Sequence, residues 1–421
     1  MPPPSILLLA GEASGDYHAA ALVRDLKQLR PEIRVTGIGG HKLAQAGMNL
    51  LFHYRDINTI ALSEGLSKIR HIFRAYRTMK RELSSGRHDL FIPVDYPDVN
   101  LRLCRFARNA RIPVCYYISP QVWAWRKGRI RSIAARVDRM MTIFPFEETL
   151  YRAAGVRADF VGHTMVRDLA LPLEREVAKR ALGIDPQTTA IAILPGSRPA
   201  EIQRMLPVMC EAARMHLSDH ADAVFLLPVA GDHLLPMIRD ILASLRVPVT
   251  LTSSDAAGVM AACDYGLVTS GTATLQAALV GMPHAVVYKL DPLTWLFALK
   301  ILKPLVMDKD IHVAIANVLS ISREKDPEGP IQIMLDAGYR IPCQECGRPL
   351  FVPELLQDQA SARNMAAWLE KFGSDIRLRQ AMERGFSLVR RMLAPPDDGR
   401  TPAWIVLDCL SAVENQRARE H

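Results

Sequence analysis

Short apolar runs alternate with longer, helix-length polar stretches along most of the chain. Residues 5–10 form a continuous apolar run that ends at a glycine, the pattern of a buried strand. A helical stretch follows at 17–29, and 33–38 predicts a second strand closed by Gly39-Gly40. Residues 90–94 and 114–118 predict two more strands, each preceded by a helix candidate, and 140–144 and 158–161 continue the series. Strands alternating with helices predict a parallel sheet covered on both faces.

The rhythm pauses at 171–186, a charged stretch with prolines that is expected to link two domains. It restarts with a strand at 191–194 and a helix at 201–216, then strands at 224–228, 247–251, 265–268 and 285–288. The expected fold class is therefore α/β, with a first domain over 1–170, the linker, and a second domain over 187–364. Residues 321–347 are less regular and read as an insertion in the second domain. The remainder, 365–421, reads as helical, broken by Pro395, Pro396 and Gly399, and its composition does not say where it packs.

The 421 residues suffice for two or three cores, and 49% of them are hydrophobic, so most of the chain should fold. A net charge of +8 and a pI near 9.2 call for an anionic partner: nucleic acid, an acidic bilayer or a phosphorylated substrate. Residues 6–10 lack the basic leader of a signal peptide, and no uninterrupted apolar run reaches the roughly 20 residues of a spanning helix. The seven cysteines are scattered, as expected for small buried side chains in a chain that looks intracellular. Cys343 and Cys346 form a lone CxxC; without a second pair nearby it does not imply a complete zinc site, and no metal is expected.

Three loops at strand ends carry the phosphate chemistry. Gly11-Glu12-Ala13-Ser14-Gly15-Asp16 precedes a helix, whose first N–H groups and positive dipole end suit an anion. GxGxxG spacing is absent, so this is no dinucleotide fingerprint, and a structural turn remains an equal reading. Pro195-Gly196-Ser197-Arg198 repeats the arrangement, with an arginine able to contact a phosphate or simply to face solvent. Ser270-Gly271-Thr272-Ala273-Thr274 is the best local candidate: small residues leave room for a diphosphate at a helix start and three hydroxyls can donate to it. An ordinary N-cap is the alternative. Such loops in two successive α/β units favour a ligand in the cleft between them.

Residues 68–83 form an amphipathic helix. Ile69, Ile72, Phe73, Tyr76, Met79 and Leu83 share one face, and Lys68, Arg70, Arg74, Arg77, Lys80 and Arg81 flank it. Such a helix can lie at a headgroup boundary, with Ile69, Ile72, Phe73, Tyr76, Arg74 and Arg77 as its membrane contacts. It can equally cover a core with a solvated basic edge. Trp123, Trp125 and residues 293–305 are further apolar candidates.

A longer series of segments resembles one family. Gly11 to Asp16, Gly37-Ile38-Gly39-Gly40, Asp98-Val99-Asn100-Leu101-Arg102-Leu103 and the stretch from Tyr117 to Arg126 open it. Phe144-Pro145-Phe146-Glu147, Phe160-Val161-Gly162-His163, Leu194 to Arg198 with Glu201-Ile202, Ser270 to Leu275 and Pro353-Glu354-Leu355-Leu356-Gln357 continue it in order over nearly the whole chain. On these the chain resembles the bacterial lipid-A-disaccharide synthases, glycosyltransferases with two Rossmann-like domains facing a cleft, the GT-B architecture. The resemblance implies an acceptor-side first domain and a second domain that binds a UDP-sugar. It implies transfer of 2,3-diacylglucosamine from UDP to 2,3-diacylglucosamine 1-phosphate, with inversion to a β-1,6 linkage and release of UDP. No cofactor and no metal are implied. Asp98 matches the family's essential aspartate and is the expected base, with Asp95 and Asp89 as poorer matches. Glu12 matches a second active-site carboxylate, in a loop where Gly11, Ser14, Gly15 and Asp16 are substrate candidates. Arg198, Ser270, Gly271, Thr272, Ala273 and Thr274 match the diphosphate side. Asn317 matches the asparagine of a Pro-Asn segment, although Ala316 replaces the proline. Gln276 stands where the family commonly has a glutamate that, in related folds, can hold a ribose, and Thr164 replaces a proline. The acylated substrates imply a peripheral place on the cytoplasmic face of an anionic inner membrane.

Two other functions fit parts of this pattern. Another UDP-sugar transferase or an epimerase of the same fold would share the phosphate loops. A nucleic-acid binder would explain the charge, but no compact recognition motif accompanies it, and nucleic acid is not the expected partner.

Overall fold

The structure, a computed structural model, describes residues 3–56, 65–123, 128–169, 174–290, 312–323, 326–344 and 346–420, at 65–70 and 420 by backbone alone. The chain divides into two compact units: Met1–Thr164 together with Pro395–His421, and Met165–Ala394.

The first unit is built on seven parallel strands, β1 (Ser5–Ala10), β2 (Arg34–Gly39), β3 (Asn49–His53), β4 (Leu90–Val94), β5 (Cys115–Tyr117), β6 (Arg139–Thr142) and β7 (Ala158–Phe160). Their spatial order is β3-β2-β1-β4-β5-β6-β7. Every residue of β1, β4, β5 and β6 is buried, which is why β1 and β4 read as near-continuous apolar runs rather than alternating ones, while β6 also buries Arg139 and Thr142. β3 has no fully buried residue and gives no such signal.

The second unit has β8 (Ala190–Leu194), β9 (Val224–Pro228), β10 (Val249–Thr252), β11 (Tyr265–Thr269) and β12 (His284–Tyr288). A short antiparallel hairpin, β13 (Ile341–Pro342) and β14 (Pro349–Leu350), precedes β15 (Glu354–Leu356). The parallel sheet runs β10-β9-β8-β11-β12-β15. In both sheets the strand order reverses beside the first strand, at β1/β4 and at β8/β11. Ligands of open α/β sheets bind outside the carboxyl ends of the strands at such points.

Three stretches take a form the sequence pattern leaves open. Residues 171–186, expected as a linker, include the helix Arg175–Ala181, where Lys179 is buried and its ammonium donates to Asp264 Oδ2 at 2.8 Å and to the carbonyl of Thr188 at 2.8 Å. The irregular stretch 321–347 contains the helix Pro330–Asp336, which buries Ile331 and Met334 against the helix Ile376–Leu393. The last helix, Pro402–Glu420, returns to the first unit and packs on the helix Ala13–Leu29 and on β5. Ala403, Ile405, Val406 and Leu410 are its buried face. Ion pairs fasten it: Arg139, itself buried, donates to Asp159 Oδ2 at 2.7 Å and also contacts Asp408, and Arg30 reaches Glu414 at 3.2 Å.

The amphipathic helix is Gly65–Leu83, and its stripe divides. Ala75, Met79 and Leu83 are fully in the core of the first unit. Ile72 and Tyr76, expected as membrane contacts, are half-buried against that core. Phe73 is 58% exposed, and Arg74 and Arg77 are exposed beside it. The correction is physical: the sheet must be covered, and the face of a basic amphipathic helix that suits hydrocarbon also suits a core. The side chain of Ile69 lies outside the described residues, as do Trp125 and residues 293–305.

Candidate active site

At the reversal point of the first unit, the loop after β1 meets the loop after β4. Glu12 is exposed and sits at the N-cap position of the helix Ala13–Leu29. After β4 the chain passes through Asp95 and Tyr96 in the left-handed region, with φ of 45° and 47°, before the helix Pro97–Asn109 begins. Two consecutive non-glycine residues in this region are costly and persist only where the surroundings over-determine them. Here they do: the carbonyl of Asp95 accepts from Asn100 Nδ2 and from the Tyr116 hydroxyl, both at 2.6 Å. Gly11 lies against the Tyr96 ring so closely that a Cβ would fall 2.3 Å from Cδ1, so the two loops fit together only with glycine there.

Asp98 occupies the first turn of the helix Pro97–Asn109 with its side chain 71% exposed, and the Arg129 guanidinium donates to it. It is not the helix cap, a position held by Tyr96. Asp95 is the perturbed carboxylate of the site. Burial raises it to about 6, and the negative charge of Glu12 adds to the rise. Nearby Glu147 is fully buried and is pushed up to about 8 by desolvation, against a hydrogen bond of 2.9 Å from the Trp123 indole. A neutral acid, a carboxyl near its titration point and two exposed carboxylates thus surround the ends of β1, β4 and β5. The sequence names Asp95 only as a poorer match than Asp98 and does not single out Glu147, although both lie in or next to matched segments; their burial is the signal, and it is tertiary.

Beside this point lies an apolar cavity of about 240 Å³, lined among others by Leu9, Ile72, Phe73, Tyr96 and Val99. A basic groove formed by Phe52, Phe73, Arg74, Arg77 and Arg81 runs along the same helix.

In the second unit, the loops after β8 and β11 line one cavity of about 710 Å³. It brings together Arg198, Ser270, Gly271, Thr272 and Ala273, as the sequence predicts, with two helix N-termini, those of Pro199–Leu217 and Thr272–Val280. In the first of these loops the N–H groups of Ser197 and Arg198 are held by Glu201 Oε2 at 3.2 and 3.3 Å, while the start of Thr272–Val280 presents its positive dipole end to the cavity, a feature that suits an anion. The Arg198 guanidinium, 80% exposed, is held by Glu201 Oε1 at 3.3 Å. The other walls are Val229, Ser253, Ser254, Asp255 and Tyr288 at the ends of β9, β10 and β12. Sequence reasoning missed them because what brings them to this cavity is the place of their strands in the sheet, which is tertiary.

Three predicted residues tie down backbone, and a fourth lies outside the cavity. Asp16 is buried, and its carboxylate accepts from the backbone N–H of Gly40 at 2.6 Å and of Lys42 and Leu43 at 3.2 Å, capping the helix His41–Gln45 from another element. Thr274 is buried with its hydroxyl on the carbonyl of Gly271 at 2.8 Å. Asn317 is wholly buried: its amide donates to the Val352 carbonyl and to Glu354, and its oxygen accepts from the N–H of Phe351 and Val352. Gln276 is half-buried and lies outside the lining of the 710 Å³ cavity. Of the first loop, Ser14 is exposed and Gly15 packs on Ala10.

A family model described as lipid-A-disaccharide synthetase matches residues 6–323. The lipid-A-disaccharide synthase of Geobacter sulfurreducens is 36% identical over 405 residues, covering 96% of this chain and 97% of that protein. That of Anaeromyxobacter dehalogenans is 39% identical over 392 residues, 93% of this chain and 94% of its own. Among solved structures, UDP-GlcNAc 2-epimerase from Neisseria meningitidis bound to UDP-GlcNAc superposes with a TM-score of 0.55 at 12% identity, over 97% of this chain and 100% of that one. MurG of Acinetobacter baumannii does so at 0.51 and 13%, over 98% and 100%. These likenesses agree with the GT-B architecture.

Proposed function

The chain belongs to the lipid-A-disaccharide synthase family, and from that premise we propose how its residues divide the family's reaction. The enzyme is an inverting hexosyltransferase. It moves 2,3-diacylglucosamine from UDP to 2,3-diacylglucosamine 1-phosphate and releases the β-1,6-linked disaccharide 1-phosphate and UDP. No cofactor enters; UDP-2,3-diacylglucosamine is the donor and UDP the product.

The domain assignment follows the two cavities. The first unit takes the acceptor and the second takes the donor. In the second unit, the Arg198 guanidinium and the N–H groups at Gly271 to Ala273 neutralise the diphosphate as it leaves, which stabilises the charge that develops in the transition state. In the first unit, Asp98 accepts the proton of the attacking hydroxyl and Glu12 positions the acceptor. The observation that carries this reading is the meeting of Glu12 with the Asp95–Asp98 turn at the β1/β4 reversal. A second reading rests on a specific feature: Asp95, raised to about 6 by burial, is matched to a base working near neutrality.

The apolar cavity beside Tyr96 accommodates part of an acyl chain. Phe73, with Arg74, Arg77 and Arg81, meets an anionic bilayer on its cytoplasmic face, so the enzyme attaches peripherally. Consistent with attachment rather than insertion, no helix among the described residues is long and apolar enough to cross a membrane.

The test is mass detection of the disaccharide from purified substrates, with UDP affinity measured separately. Asp98→Asn should keep the fold and UDP affinity and lose about 10²- to 10⁴-fold in turnover, the usual worth of a general base. Near-normal turnover of that variant, with a comparable loss in Asp95→Asn, would transfer the role to Asp95. Donor hydrolysis or epimerisation without disaccharide would overturn the substrate assignment.

A further inference from the structure

The hairpin β13–β14 carries the CxxC at its turn. Cys343 N–H donates to the Arg348 carbonyl at 2.7 Å, and Gly347 N–H donates to the Cys343 carbonyl at 2.9 Å. Gly347 has φ of +73°, the left-handed conformation that lets the chain reverse directly after the second cysteine. The turn thereby holds Cys343 and Cys346 together, as a local two-ligand clip does.

The third member comes from elsewhere in the sequence. His312 stands just before the helix Ile315–Ile321, and an imidazole nitrogen and both Sγ atoms all lie within 4.8 Å of one another. Tetrahedral zinc with bonds of about 2.0–2.3 Å places such atoms about 3.5–3.8 Å apart, so a small contraction completes the geometry. His312 is 7% exposed, and its Nε2 has no hydrogen-bond partner. A buried polar atom left in that state is destabilising and calls for an explanation. Its Nδ1 faces Glu354, 3.9 Å from Oε2, while Glu354 is anchored by Asn317 Nδ2 at 2.8 Å and by the N–H of Ala314 at 3.0 Å. A carboxylate behind the imidazole is the usual support of a metal-bound histidine, because it fixes the ring and raises its basicity.

We propose that His312, Cys343 and Cys346 bind one zinc ion. Two thiolates and a neutral imidazole form a donor set that suits zinc rather than magnesium or calcium. Binding releases the two thiol protons to solvent and changes no oxidation state. None of the three residues lines the 710 Å³ cavity, so the ion's role is structural. It fastens the hairpin, a pair of two-residue strands too short to be stable alone, to the segment before the helix Ile315–Ile321. The CxxC is one half of a site whose other half lies upstream, out of reach of a spacing rule.

The experiment uses the full chain, expressed with zinc in the medium and purified without chelator. Elemental analysis should find about one zinc per chain, and Cys343→Ser, Cys346→Ser and His312→Ala should each lower zinc affinity by tenfold or more. A second measurement needs no variant. Bound zinc should slow maleimide labelling of Cys343 and Cys346, read by peptide mass spectrometry, and a chelator should restore it while labelling of Cys409 stays unchanged. The proposal fails if the wild type carries well under one equivalent after zinc exposure. It fails equally if the serine variants keep the metal, if a chelator leaves the labelling unchanged, or if Cys343 and Cys346 are recovered as a disulfide.

Discussion

Removing the Asn317 side chain tests whether this matched residue binds ligand or braces the fold. Asn317 is fully buried and makes four hydrogen bonds: to the Val352 carbonyl and Glu354 Oε1, each at 2.8 Å, and from the N–H of Phe351 at 3.0 Å and of Val352 at 2.8 Å. Asn317→Ala strands two backbone N–H groups, a carbonyl and one side of a buried carboxylate, next to Phe351 and Val352, which are themselves wholly buried. Each stranded group costs about 1–3 kcal/mol; with partial relaxation and entry of water the sum is about 4 kcal/mol. With an m-value of about 2–3 kcal/mol/M, the urea midpoint should fall by about 1–2 M. Asn317→Asp is the sharper variant. It keeps the acceptor for both N–H groups but sets a second carboxylate against Glu354, already held above its ordinary range by burial, so its defect should shrink as pH falls. Far-UV circular dichroism in urea gives the midpoint, and titration calorimetry gives UDP affinity. A normal midpoint with weakened UDP binding in Asn317→Ala would refute the brace and return Asn317 to the donor site.

Asp95 makes stability depend on pH. Below about 3.8 both folded and unfolded states hold the proton and burial costs nothing; from there to about 6 the unfolded chain ionises first, so folding weakens by about 3 kcal/mol, in full above pH 6. Asp95→Asn removes this loss, and its stability relative to the wild type, measured in urea, should rise by that amount between pH 4 and pH 7. On the amphipathic helix, Phe73→Ser should leave circular dichroism unchanged and weaken co-sedimentation with anionic vesicles, whereas Met79→Ser should destabilise by 3 kcal/mol or more by placing a hydroxyl in the core. Equal vesicle binding by Phe73→Ser and the wild type would remove that side chain from the membrane contact. At the donor cavity, Arg198→Ala should chiefly lower turnover and Thr272→Val should chiefly weaken donor binding, separable by kinetics with varied donor; normal values for both would displace the diphosphate from these loops.

Strands such as β1, β4 and β8 were legible because doubly covered parallel strands are largely apolar, whereas β3, without a fully buried residue, was not. The loops at β8 and β11, which line one cavity, were legible as small residues at a helix start. What the sequence left open has a common cause. Met79 and Phe73 lie on one helix, and periodicity cannot distinguish a hydrocarbon layer from a protein core. Asn317, Asp16 and Thr274 are polar residues in matched segments, and whether such a group faces a ligand or ties down backbone depends on neighbours far away in the chain. Asp95 shows the converse: an ordinary aspartate in the sequence, it acquires a perturbed carboxyl only through burial and the approach of Glu12. The helix Pro402–Glu420 has weak amphipathicity, so the face it buries emerges only from the partners it meets.

The return of that helix to the first unit makes the second unit an insertion within the first. During synthesis residues 165–394 are complete before residues 395–421 exist, so the second unit can fold on the ribosome while the first unit still lacks its closing helix. Until the chain ends, the surfaces of β5 and the helix Ala13–Leu29 that meet the closing helix are uncovered, and Arg139 lacks the carboxylate of Asp408. The first unit therefore matures last, and a ribosome that stops short of the final helix leaves it unfinished.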